Sequence, residues 1–237
     1  MQADLRPNRC GGDMRIKWLM LGLVLPLLFA CGVHGTVPEG AYLRSESTGG
    51  YLSNVVYVFR EGRVAYAASG DLDHVDFDAH AAVKTGNVGT YQRNGDLLRI
   101  VWGDGSVQEG PIRLDQRGGG FQFYGAPFAP IRRIDNPSQL KGRYYGGASF
   151  GGVSNAFDLV FDGAGGYRHS QTASIASSSA DSTVSAASSS DGSGRHQLSG
   201  TRLTLGDETH WAYEVPTDHR AVVEMLIVDG VVMTRAD

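Results

Sequence analysis

The sequence predicts an all-β protein: an antiparallel meander barrel or sandwich built from two internal repeats, with two small barrels in tandem as the alternative. Three observations carry that prediction. Beyond residue 40, apolar and polar residues alternate in short runs; glycine-bearing turn pairs interrupt those runs; and the two halves of the region repeat one another.

The N-terminal part stands apart from this pattern. Residues 1–13 show no apolar periodicity, and translation is expected to begin at Met14. Arg15 and Lys17 then lead an apolar run from Trp18 to Ala30, which ends in Leu28-Phe29-Ala30-Cys31-Gly32. The run is shorter than the ~20 residues that span a bilayer, and a basic start with a short apolar core is the layout of a secretory signal. The segment resembles a bacterial lipoprotein signal peptide with its lipobox. That resemblance implies a signal peptide over residues 1–30, acylation of Cys31 (palmitate among the acyl chains) and a membrane tether through the lipid. Gly32 after the acylated cysteine, with no aspartate there, implies the outer membrane, facing the periplasm.

Cleavage before Cys31 removes Arg6, Arg9, Arg15 and Lys17 along with Asp4 and Asp13. From the chain's 21 basic and 25 acidic residues, 17 and 23 remain, a net charge of about −6. A mildly acidic chain without Lys/Arg clusters argues against a nucleic-acid partner and against a polybasic membrane patch. Of the two cysteines, Cys10 leaves with the signal and Cys31 is taken by the lipid, so no disulfide, thiol nucleophile or thiolate metal site is expected. The core must form from apolar burial alone, which this length permits.

Residues 31–39 read as the lipidated tether, 40–133 as the first β-meander repeat, 134–141 as a linker and 142–237 as the second repeat. Gly40-Ala41-Tyr42, Gly49-Gly50 and Phe59 recur at an offset of 102 as Gly142-Arg143-Tyr144, Gly151-Gly152 and Phe161. Farther on the offset is 105: Gly89 through Ile100 lies over Gly194 through Leu205, and Phe121, Phe123 and Gly125 lie over Leu226, Val228 and Gly230. Val55, Tyr57 and Phe59 match Phe157, Leu159 and Phe161 with period two, so each trio lines one face of a strand and Val56 and Val58 line the other. Leu98, Ile100 and Trp102 form a second such face. Asn94-Gly95 predicts a type I′ hairpin turn, with Ser199-Gly200 in its place in the second half. Glu61-Gly62, Asp104-Gly105, Asp162-Gly163 and Asp229-Gly230 mark further reversals. Asn136 to Leu140, at the junction of the halves, predicts one helical turn; no sustained helical period is present elsewhere.

The halves diverge most between the Phe59/Phe161 strand and the Gly89/Gly194 strand. In the second half this is the Ser-rich loop 170–193, whose Ser, Ala, Thr and Gly predict a flexible loop or a long, weakly packed hairpin. In the first half it is Gly70 to His80. If extended, that stretch puts His74, Asp76, Asp78 and His80 on one face, imidazoles and carboxylates that suit a divalent metal such as zinc. Alternate strand residues lie ~6.5–7 Å apart, however, so His74 and His80 share one ion only if the strand bends. The EF-hand pattern is not met, because Asp76 stands where that loop needs Gly and Ala82 where it needs Glu.

Other catalytic patterns are weak. Gly147-Ala148-Ser149-Phe150-Gly151 spells a nucleophile elbow, but a turn and a strand follow it instead of a helix. His169, His196, His210 and His219 are scattered, and no two carboxylates are singled out as an acid/base pair. Trp102, Trp211, Tyr124 and Phe128 are expected to line an apolar pocket if the barrel encloses one, with core packing as the alternative.

In the second half, Gly142-Arg143-Tyr144, Phe161-Asp162-Gly163, the Ser-rich 170–193 stretch, Gly194 through Leu205 and Ile227 to Arg235 together resemble bacterial envelope lipoproteins with lipocalin-like meander domains. Tyr42 and Tyr144 occupy the place of the lipocalin Gly-x-Trp aromatic. The resemblance implies a fold and carries over no catalytic residues. The expected function is therefore a non-enzymatic, lipid-anchored envelope domain without cofactor, which binds a small apolar ligand or an envelope protein. A structural or assembly role without a pocket, and a metal-binding role for the His74–His80 strand, are the alternatives.

Overall fold

The computed structural model describes residues 39–236 apart from 49–50, 116–117, 151–152, 180–181 and 218–221. The segment expected to be a signal peptide, Cys31, His219 and the Gly49-Gly50 and Gly151-Gly152 columns lie outside the described residues. Two closed eight-stranded antiparallel barrels follow each other along the chain, each a meander in which sequential strands pair and the last strand returns to the first. The first contains β1 (Gly40–Thr48), β2 (Tyr51–Arg60), β3 (Arg63–Tyr66), β4 (Val88–Asn94), β5 (Leu97–Trp102), β6 (Val107–Leu114), β7 (Phe121–Phe123) and β8 (Ala126–Ile131). The second contains β9 (Gly142–Phe150), β10 (Val153–Phe161), β11 (Gly166–Ser179), β12 (Ser182–Ser199), β13 (Arg202–Leu205), β14 (Glu208–Val215), β15 (Met225–Val228) and β16 (Val231–Arg235). Of the two predicted arrangements, the tandem pair of barrels is the one formed. Closure gives the first and last strands of each sheet a partner, which a half of this size needs if it is to stand alone.

The repeat maps strand onto strand. β1 and β2 fall on β9 and β10 at the offset of 102, and β7 with its Phe121 and Phe123 falls on β15 with Leu226 and Val228 at 105. Tyr42 and Tyr144 are both buried and head the inner faces of β1 and β9. The first lumen is packed with aromatic rings: Phe121 stacks on Phe128 at 4.5 Å, Tyr42 meets Phe121 edge-on at 4.9 Å, and Phe59 meets Tyr91 at 5.1 Å. The second is more aliphatic, with Leu159, Leu203, Leu226 and Met233 around Tyr144 and Phe161.

A third apolar cluster lies between the barrels. Val56, Val58 and Ala65 on the outer wall of the first barrel pack with Leu72, Phe77, Tyr213, Val215 and Ile227. This explains the unbroken apolar run Val55–Phe59: one face fills the lumen and the other fills the joint. The Leu72 N–H donates to the buried Tyr213 hydroxyl at 2.8 Å, and Arg132 and Glu214 exchange two backbone hydrogen bonds of 2.8 and 2.9 Å.

The turns follow glycine, with one shift from expectation. Asn94 pairs with Leu97 and Ser199 with Arg202, so Gly95-Asp96 and Gly200-Thr201 are the central pairs. Within those pairs only Gly95 (59°) and Gly200 (60°) have positive φ, the pattern of a II′ turn with glycine at its first central position, instead of the predicted I′ turn. The I′ pattern is met at Glu61-Gly62, Tyr124-Gly125 and Asp229-Gly230, where both central residues have positive φ.

Two predicted segments resolve into defined elements. The Ser-rich stretch is a long hairpin, β11 and β12 paired from Gly166↔Arg195 to Ser179↔Ser182. The His74–His80 segment is not a strand: Phe77–Val83 is a helix, α1, capped by the Asp76 carboxylate, which accepts from the Asp78 and Ala79 N–H groups. Three alanines propagate it, and Phe77 anchors it to the joint. Asn136–Leu140 makes the predicted helical turn, with a capping box between Asn136 and Gln139. No helix among the described residues is long and apolar enough to cross a membrane.

Candidate binding cleft between the barrels

The residues predicted to hold a metal do not converge. Helix formation breaks the alternation on which that reading depends, and each side chain takes a separate partner. His74 Nδ1 lies 3.1 Å from Asp71, and Asp76 caps the helix. Asp78 pairs with Arg63 at 2.7 Å, and His80 Nε2 lies 2.8 Å from the Tyr66 carbonyl. Among the described residues no group of three His, Cys, Asp or Glu side chains is placed to hold a metal ion.

The four residues predicted to line a pocket are likewise split. Trp102 and Phe128 are buried in the first lumen. Tyr124 is the first central residue of an I′ turn, with φ 53°, so its ring is carried outside, 57% exposed. Its hydroxyl donates to the Glu109 carbonyl. Trp211 is on the outer wall of the second barrel, beneath the Arg202 guanidinium at 4.0 Å. The geometry therefore offers no shared pocket to these four. Ser149, of the elbow-like string, lies in β9 and pairs with Ser154 across the β9–β10 hairpin, where no helix follows.

Two polar groupings match none of the sequence motifs. The first is inside the first barrel. Arg44 and Glu46 share the inner face of β1 with Tyr42 and pair at 3.5 Å, each side chain 20% exposed. Glu46 accepts from the Tyr57 hydroxyl at 2.5 Å and from the Tyr66 hydroxyl at 3.5 Å. Arg44 also lies over the Phe128 ring at 5.2 Å. Burial, with Glu46 adding to it, pushes the Tyr57 hydroxyl far above the usual phenol range, so it stays a donor. The alternation of β1 carries a signal for this grouping, since the inner parity that begins at Tyr42 leads directly to Arg44 and Glu46.

The second grouping lines a cleft of about 850 Å³ where the barrels meet. The β6–β7 connection and β7–β8 form one wall, with Asp115, Gln122, Pro127 and Pro130. Arg132, just after β8, Asp135 and Gln139 of the linker, and Glu214, Pro216 and Glu224 complete the lining. Four carboxylates and one guanidinium thus face a common space. Burial first, and then the neighbouring Asp135, raise the Glu214 carboxyl above its ordinary range, while Arg132 opposes them. No signal in the sequence marks these residues, because the wall joins segments about a hundred positions apart. The cleft can accept hydrogen bonds and hold positive charge against proline and aliphatic walls.

No family model, curated protein or solved structure matches the chain.

Proposed function

We propose that the protein is a lipid-anchored, non-enzymatic module of the cell envelope, held by acyl chains on Cys31 at the outer membrane. In this reading it binds a basic segment of another envelope protein in the cleft between its barrels. The observation that carries the reading is the cleft: it is built jointly by both barrels and the linker, and carboxylates predominate on it. A Lys- or Arg-bearing segment gives charge complementarity, and the prolines supply apolar contact without loss of side-chain freedom. The packed aromatic rings of the first lumen speak against an apolar ligand inside that barrel.

The test is photocrosslinking in intact cells, with a benzophenone side chain introduced in turn at Gln122, Pro130 and Thr217, and at Val83 on α1 as a control that is 87% exposed. The expected result is a discrete adduct from the three cleft positions, weakened by Arg substitution of Asp135 or Glu224, and none from Val83. Adducts that are equal at all four positions, or absent from the cleft, would overturn the binding role. The anchor is tested separately: a Cys31→Ala chain that still fractionates with membranes removes it.

A further inference from the structure

The second barrel is not closed along its whole height. β12 pairs with β11 from Ser182 to Arg195, but on its other side β13 takes only His196 to Ser199. On the far side of the same four-stranded extension, β16 reaches β9 only as far as Gly146. Among the described residues β12 therefore leaves a free strand edge, and its residues Ala186 to Ser190 are exposed on both faces.

The hydrogen-bonding parity of that edge is set by two bonds. The His196 N–H donates to the Gly165 carbonyl at 2.9 Å, so even-numbered residues of β12 face β11. The Gly206 N–H donates to the Arg195 carbonyl at 3.1 Å, so odd-numbered residues face the other way. Ala187, Ser189, Asp191 and Ser193 accordingly point their backbone N–H and C=O outward, where no strand among the described residues meets them. Edge strands of this kind are ordinarily blunted by lysine, proline, bulges or a covering element. From Ala186 to Arg195 there is no lysine and no proline, and the charges are Asp191 and Arg195 alone.

We infer that this edge is a self-association surface, on which β12 of one copy pairs antiparallel with β12 of a second copy about a two-fold axis near Ser189. Three features favour a second copy as the occupant. An antiparallel self-pair about Ser189 sets Ala186–Gly192 of one copy against the same seven residues of the other, about 24 Å at ~3.4 Å per residue. Centred on Ser189, it sets Ser189 against Ser189 and Asp191 against Ala187, so no like charges oppose and every opposed pair includes a small side chain. On a chain of net charge −4, this strip, with one Asp and one Arg, is nearly neutral. The contact is isologous and closes as a dimer.

The test uses the full chain carrying Cys10→Ser and Cys31→Ser, so that neither native thiol nor lipid brings copies together. Sedimentation mass is expected to show dimers. Ser189→Pro removes one outward N–H and leaves the ladder to β11 intact, and Ala187→Lys places a charge at the edge; each should weaken dimerisation at least ten-fold with an unchanged circular dichroism spectrum. In the same background, Ser189→Cys should give a disulfide-linked dimer on mild oxidation, and Arg168→Cys, one strand inward, should not. A monomeric chain overturns the inference, as does a dimer indifferent to both Ser189→Pro and Ala187→Lys, or crosslinking at Arg168→Cys equal to that at Ser189→Cys. None of these outcomes depends on the cleft or on the anchor.

Discussion

Replacing Tyr213 by Phe tests how the two barrels are joined. The ring is 3% exposed and packs in the apolar cluster between the barrels, so phenylalanine retains nearly all of that burial. What is lost is one hydroxyl, and with it the acceptor of the Leu72 N–H at 2.8 Å. Leu72 is itself 3% exposed, so its N–H has no ready access to water in the variant. A buried donor left without a partner costs about 1–3 kcal/mol, more than the net worth of an average hydrogen bond, because the desolvation is no longer compensated. With a urea dependence of about 2–3 kcal/mol per molar, the unfolding midpoint should fall by roughly 0.3–1.5 M. Urea denaturation followed by circular dichroism measures this, and hydrogen exchange at the Leu72 amide provides the local readout: protected in the parent, fast in the variant. Tyr124→Phe is the matched control. It also loses a tyrosine hydroxyl bond to backbone, but at an exposed turn, and should stay within about 0.5 kcal/mol of the parent. A Tyr213→Phe chain as stable as the Tyr124→Phe control, with the Leu72 amide still protected, would refute this account of the joint.

Two further predictions concern the first lumen. Glu46→Ala removes the acceptor of the Tyr57 hydroxyl and leaves the Arg44 guanidinium, 20% exposed, without its ion pair, so it should destabilise by about 3–5 kcal/mol; the double change Arg44→Met/Glu46→Leu should recover the part due to the unpaired guanidinium and leave the Tyr57 part, in the same urea titration. Alkaline titration should weaken the fold. Burial, with a smaller contribution from Tyr91, raises the Tyr42 hydroxyl from 10.0 to about 12, so the native state holds its proton while the unfolded chain gives it up. That stabilisation is complete below pH 10 and is lost as pH rises towards 12, by about 1.4 kcal/mol per pH unit for this residue, about 2–3 kcal/mol in all. Thermal melts from pH 8 to 12 that show no decline above pH 10 in the parent, or an equal decline in Tyr42→Phe, would contradict it.

Some features of the sequence transferred directly to the structure because they depend on neighbours in the chain. The period-two columns at Val55–Phe59 and Phe157–Phe161 became β2 and β10, and the Asn136-Pro137 signal became a capped helical turn. Both express local stereochemistry. The His74–His80 reading failed for a local reason too: polar and apolar residues alternate there, but Asp76 caps a helix start, and the alanines after it make the helix the better use of the backbone. The pocket reading failed because side-chain type says nothing about direction. Tyr124 differs from Phe128 in preceding a glycine within a two-residue turn, which fixes its φ and turns its ring outward.

The sequence by itself determined that the chain is all-β, that it is duplicated, and where many of its hairpins reverse, since alternation and turn residues act over a few positions. Only the tertiary structure decided between one barrel and two, and it alone assembled the cleft around Arg132 and Glu214 and left the β12 edge open. Those depend on which strand closes against which, as β8 does on β1 and β16 on β9. Pairings of such long sequence separation are selected by the packing of whole faces, in lumen and joint together, and no short window of residues records that choice.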